Sequence, residues 1–310
     1  MSSSAPIPEA LLRRLEWTVL RRLDGLLQGD YRSLFRGLGM DLAEIREYQY
    51  GDDVRFMDWN VTARLGSPYV RRFDEDRDLT AWFVLDLSAS VHFGSGQATK
   101  LELLAGFTGT IARLLSGKGN RVGALIFDGR DQELVSPKGG RLHLLYLLDR
   151  ILSRPPIGPS PPTDLRAPLM AAVDLAKRRS LVFVVSDFFS PPGWAEPLSY
   201  LARRHELVAV RLIDPTETEL PDLGIVTLQD SETGEQIQVN SHSRALRARF
   251  AEASARREEA LRAAFDRANV DVLELSTRDD LALAILGFAE LRKRRSQLAG
   301  AATVTRRAAS

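Results

Sequence analysis

The chain has 310 residues, of which 44% are hydrophobic, enough for one substantial core and at most a small second unit. Its net charge of +1 excludes a broadly basic nucleic-acid footprint, so no nucleic acid is expected among its partners. With no cysteine, disulfides and thiolate-held zinc are excluded, which fits a reducing cytoplasm, and the four histidines lack the spacing of a zinc pair.

Along the chain, Leu11, Leu12, Leu15, Val19, Leu20, Leu23, Leu26 and Leu27 recur at helical spacing with arginines between them. This predicts an amphipathic helix over 8–28. Packing on the rest of the protein takes precedence over peripheral membrane contact through 8–28, since four arginines are a thin basis for lipid. No apolar run approaches the ~20 residues that cross a bilayer, and the amino terminus lacks a secretory pattern.

Residues 41–60 carry a dense polar run in which Gly51-Asp52-Asp53 reads as a turn, with Phe56 and Trp59 as anchors to the core. The acidic string Asp74-Glu75-Asp76 reads as a charged, solvated strand edge. From Leu79 onward strand and helix alternate, which predicts an α/β fold with a doubly wound, mostly parallel sheet flanked by helices. Strands are expected at Leu79 to Asp86, Arg121 to Phe127, Leu181 to Ser186, Glu206 to Ile213 and Val270 to Leu275, with an antiparallel edge near Glu133. Helices are expected from Ala98, Arg141, Leu165, Trp194, Ser243 and Arg278. The proline-rich stretch from Pro155 to Pro162 is an extended loop that sets Thr163 beside a helix start. Ile225 to Gln229 and Gln236 to Asn240 flank Ser231-Glu232-Thr233-Gly234 as a projecting β-hairpin. Three parts follow: an amino-terminal helix and extension over 1–78 packed on the main domain, a main domain over 79–296 with the hairpin near 225–240, and a basic, disordered tail over 297–310.

The chemistry gathers where the first strong strand ends. Asp86, Ser88 and Ser90 form a D-x-S-x-S string, Thr163 follows the proline loop, and Asp187 follows the next buried strand. Loops at the carboxyl ends of neighbouring parallel strands would bring these five hard oxygen ligands to one crevice. Each also has a local reading: Thr163 as a helix N-cap, Asp187 as an Asx-turn, the serines as caps.

The order D-x-S-x-S, Thr, Asp resembles the metal-ion-dependent adhesion site of von Willebrand factor type A domains. By that resemblance, Asp86, Ser88, Ser90, Thr163 and Asp187 would hold Mg2+, with Mn2+ or Ca2+ as alternatives, and a protein partner would complete the shell with an Asp or Glu. The string from Arg46 to Trp59, followed by Thr62-Ala63-Arg64, is similar to the hallmark segment of the bacterial domain-of-unknown-function family fifty-eight. Asp214-Pro215, Leu220-Pro221 and the Glu232-Thr233-Gly234 turn match that family too, over about Tyr31 to Arg294. Members often carry transmembrane helices ahead of the hallmark, and this chain does not. The resemblance further implies an adaptor role beside a MoxR-type AAA+ ATPase in the assembly or activation of other proteins.

The leading expectation is therefore a non-enzymatic, divalent-metal-dependent protein-binding module. The alternative is a haloacid-dehalogenase-type phosphoryl-transfer enzyme with Asp86 as nucleophile. That chemistry needs an acid two residues on, where this chain has Ser88, and a serine cannot protonate a leaving group at neutral pH. A third expectation is scaffolding at a membrane surface through the first helix.

Overall fold

The computed structural model describes residues 8–15, 45–49, 52, 54, 57, 59–71, 79–96, 98–117, 119–155 and 162–308. The later part of the expected first helix, most of the hallmark segment, the acidic string and the proline loop at 156–161 lie outside the described residues. Two compact units emerge. One holds the first helix with everything from Thr80 to Phe288, and the other holds the described residues 45–71 with the last helix from Ala289 on.

In chain order the elements are α1 (Pro8–Leu15), β1 (Ile45–Glu47), α2 (Trp59–Leu65), β2 (Tyr69–Arg71), β3 (Thr80–Asp86), α3 (Lys100–Ser116), β4 (Arg121–Phe127), β5 (Gln132–Lys138), α4 (Arg141–Leu152) and α5 (Arg166–Leu175). There follow β6 (Leu181–Ser186), α6 (Ala195–Arg204), β7 (Glu206–Ile213), β8 (Ile225–Gln229), β9 (Gln236–Asn240), α7 (Arg244–Ala268), β10 (Asp271–Ser276) and α8 (Leu281–Ala308).

The larger unit is built on a six-stranded sheet of order β10-β7-β6-β3-β4-β5, parallel except for β5, which returns antiparallel on β4. Its central strands are apolar along their length because helices cover both faces; β6 is buried at every position. Side chains alternate across the sheet as strand geometry requires. Phe83 and Phe183 stack at 5.0 Å on one face and meet Phe107 of α3. On the other face Val84, Val182 and Val184 pack with Leu169, Leu198 and Leu261 from α5, α6 and α7.

The first helix packs on this unit. Leu11, Leu12 and Leu15 are buried, α1 lies against α3 and α4, and Gly109 of α3 leaves the room: a Cβ there would sit 3.0 Å from Leu15 Cδ1. An eight-residue helix is marginal alone, so this burial is what holds it.

In the smaller unit, β1 and β2 pair antiparallel with Ile45 opposite Arg71, and Thr62 of α2 accepts the Tyr69 N–H through Oγ1 at 2.9 Å. Of the expected turn at Gly51-Asp52-Asp53 only Asp52 is described, and its Oδ2 accepts the Gln49 N–H at 2.8 Å. Trp59, expected as a core anchor, is instead 69% exposed. Among the described residues of this unit, a seven-residue helix and a two-stranded ribbon offer no interior deep enough for an indole. The tail differs as well. Helix α8 continues to Ala308 through the stretch from 297 expected to be disordered. The run Leu298-Ala299-Gly300-Ala301-Ala302 contains no proline and is rich in alanine, and extending a helix already nucleated from Leu281 is far easier than starting one.

Candidate metal centre

Strands β4 and β5 are added on one side of β3, whereas β6, β7 and β10 are added on the other. The winding direction therefore reverses between β3 and β6, which opens a crevice at their carboxyl ends as their loops diverge. Asp86 is the last residue of β3, and Asp187 follows the last residue of β6.

Asp86 is buried, with Oδ1 accepting the Ser88 N–H at 3.0 Å and Oδ2 accepting the Ser186 hydroxyl at 2.6 Å. Burial, and secondarily the negative charge of Asp187, push the Asp86 carboxyl up to about 7. The Ser88 and Ser90 hydroxyls are 3.2 Å apart, and Ser88 caps nothing with its side chain although a short 3-10 turn follows it. Asp187 Oδ1 accepts the Phe189 N–H at 3.0 Å, so its Asx-turn reading holds. Its Oδ2 is bonded at 2.7 Å by the Lys100 ammonium, which also reaches Glu217 Oε1 at 2.7 Å. Burial opposes the charge on Lys100, but these two carboxylates outweigh it and hold the ammonium protonated.

Thr163 is buried and does not cap α5, whose N-cap Leu165 has no side-chain bond. Its N–H donates to Glu232 Oε2 at 2.7 Å, while its Oγ1 is buried without a hydrogen-bond partner. Glu232 Oε1 is in the same condition. Gly129, at φ +90°, approaches this hydroxyl with backbone alone, and a Cβ there would stand 3.0 Å from Thr163 Oγ1.

The backbone is also held out of its ordinary range here. Phe188, directly after Asp187, adopts φ 59°, a left-handed conformation costly for a bulky residue. Its ring keeps it there, 5.3 Å from Trp194 and 4.9 Å from Phe265.

Asp86, Ser88 and Ser90 thus form one hydrogen-bonded group, Asp187 acts on Asp86 through its charge, and Thr163 joins through Glu232, on which Asp187 also acts. Among the described residues no three His, Cys, Asp or Glu side chains gather as a metal cluster. A donor set of two carboxylates and three hydroxyls suits a hard cation such as Mg2+, and the orphaned Thr163 oxygen is what such a set leaves when nothing bonds it. The residues fit the ion. Asp214, beyond β7, does not belong with them: Ser95, Thr216 and Thr277 satisfy it fully. Burial would raise its pKa, yet these donors hold it well below the carboxylate range.

Four neighbours escape sequence reasoning: Lys100, Ser186, Glu217 and Glu232. Thr99 and Glu102 form a capping box that marks where α3 starts, but nothing local says that the helix's first residue is sealed from water. Glu232 is legible only as part of a turn.

The family model described as Protein of unknown function DUF58 matches residues 44–260. The chain belongs to this family. An uncharacterized protein of Mycobacterium tuberculosis is 40% identical to this DUF58 chain over 295 residues, covering 94% of it and 91% of that protein. Among solved structures, an aerotolerance-related membrane protein from Bacteroides fragilis aligns with TM-score 0.46 and 13% identity, over 70% of this chain and 99% of that one. The VWA domain of SpRpn10 aligns with TM-score 0.38 and 12% identity, over 67% and 93%. No helix among the described residues is long and apolar enough to cross a membrane.

Proposed function

We propose that this DUF58 chain is a non-enzymatic, divalent-ion-dependent protein-binding module working in the cytoplasm. Asp86, Ser88, Ser90, Thr163 and Asp187 would hold Mg2+, or Mn2+ or Ca2+ in its place. A partner's Asp or Glu would enter the remaining position. When bound, the ion supplies a positive centre that turns a carboxylate-repelling crevice into a carboxylate-binding one. On the family resemblance, a MoxR-type AAA+ ATPase or its client is the first partner to test.

What supports the reading is the buried Thr163 Oγ1, which makes no hydrogen bond, together with two buried carboxylates, Asp86 and Asp187, the second of which acts on the first through its charge. Hydroxyls that serve only as caps would be bonded to helix N–H groups, and neither Thr163 nor Ser88 is so used. A phosphoryl-transfer reading gains nothing here, because the position two residues after Asp86 carries a hydroxyl that meets Ser90.

Calorimetric titration with Mg2+ and Mn2+, and melting in either ion against chelator, test the proposal. At an ion concentration one hundred times the Kd, linkage gives about 2.7 kcal/mol of stabilisation. Asp86→Ala is expected to remove both the binding heat and the shift in Tm while still folding in chelator. Identical melts with and without ion, together with a flat titration, reject it.

A further inference from the structure

Lys100 is the first residue of α3, and its placement runs against ordinary helix chemistry. A cation at a helix N-terminus opposes the macrodipole, and burial adds a desolvation cost, yet this side chain is fully sealed. The Thr99–Glu102 capping box starts the helix there, and the Lys100 N–H donates to the Phe93 carbonyl at 3.0 Å, so the backbone is fixed. The ammonium donates to Asp187 Oδ2 and to Glu217 Oε1, each at 2.7 Å. Glu217 is itself anchored, since its Oε2 accepts the Asp214 N–H at 3.2 Å. Such a cation does not swing away without stranding two carboxylates.

The two aspartates of the centre are therefore unlike. Asp86 is bonded by neutral donors, the Ser88 N–H at 3.0 Å and the Ser186 hydroxyl at 2.6 Å, so an ion approaching it meets no rival charge on its oxygens. Asp187 is held at both oxygens, Oδ1 by the Phe189 N–H at 3.0 Å and Oδ2 by the ammonium, and does not rotate to offer a free edge. A divalent ion bonded directly to it would share one buried carboxylate with Lys100, and like charges that close repel strongly where water does not screen them.

We propose that Lys100 is a positioning residue of the ion centre: by holding Asp187 it keeps that carboxylate in the outer shell, reached through water, and leaves Asp86 as the carboxylate in direct contact. This rests on the divalent-ion reading above. Mg2+ gives up its waters reluctantly, so an outer-shell aspartate suits its chemistry. An ion met directly by one carboxylate keeps more of its charge for a partner's acid.

The test uses Mn2+ as probe on the full chain, with calorimetry for affinity and water-proton relaxation for the number of exchanging waters on bound Mn2+. Lys100→Met keeps the length of the side chain and removes its charge, which frees Asp187. The variant is expected to bind Mn2+ about tenfold or more tightly, with lower relaxation per bound ion as the Asp187 carboxylate replaces a water. Adding Asp187→Asn to Lys100→Met is expected to abolish both changes. Unchanged or weaker affinity in Lys100→Met, with binding still lost in Asp86→Ala, would overturn the role of Lys100 and leave the centre standing. Tighter binding at unchanged relaxation would also overturn it, because Lys100 would then act by charge alone and not by holding Asp187 out of the inner shell. Absence of Mn2+ binding in the unaltered chain and in Lys100→Met alike would overturn both readings. If Lys100→Met does not fold by circular dichroism, the same two measurements on Lys100→Met with Glu217→Gln, which leaves the net charge unchanged, decide.

Discussion

At Asp86, burial and a neighbouring negative charge act in the same direction, and the consequence for stability has a definite sign. A carboxyl whose folded pKa is raised from 3.8 to about 7 favours the unfolded, ionised chain once the pH exceeds the unfolded value. The penalty is absent below about pH 4, grows toward pH 7 and is complete above it. Asp86→Asn is therefore expected to melt higher than the unaltered chain in chelator at pH 8, by on the order of a few kcal/mol, with the gap closing as the pH falls toward 4. In saturating Mg2+ the order should reverse, because only the carboxylate binds the ion. Melting curves of both chains across pH, with and without Mg2+, check this. A constant gap at all pH values would mean that Asp86 carries no raised pKa. Asp86, Ser88, Ser90, Thr163 and Asp187 were legible as candidates because strand ends display their residue types in order. Lys100, Glu217 and Glu232 were not, since their part depends on contacts across 87, 117 and 69 residues of chain.

Among the elements, β4, β6, β7, β8 and β9 have the bounds expected of them, because apolar or alternating runs bounded by turn residues leave few choices of register. Helix starts fell within three residues of those expected, as when Thr99 took the cap and α3 began at Lys100. The expectation that α1 packs on the protein has a direct mutational test. Leu12 is fully buried against α3 and α4, so Leu12→Ala should destabilise the fold by about 2–5 kcal/mol in urea unfolding. A helix docked on lipid would instead give an unchanged midpoint and altered flotation with anionic vesicles. The misjudged elements were Trp59 and the tail. Composition alone made the indole a core residue and the small-residue tail disordered, whereas the size of the packing partner and the continuity of α8 decided them.

For the whole molecule, the alternation of strand and helix was sufficient to anticipate a doubly wound sheet, and Asp86 and Asp187 lie at its switch point. Which helices of the larger unit receive α1 was not legible, because no local signal says where distant helices will meet Leu11, Leu12 and Leu15. The burial of Lys100 has one further consequence. The chain has five lysines, and among the described residues Lys100 is fully sealed and doubly ion-paired, while Lys138 and Lys177 are exposed. An amine-acylating reagent should therefore modify Lys138 and Lys177 at once in native buffer and reach Lys100 only when the crevice opens. Mass spectrometry of the peptide bearing Lys100 then becomes a stopwatch for that opening, slowed by any ligand that closes the crevice. Equal labelling of Lys100 and Lys138 in native buffer would mean that the ammonium is not held as described.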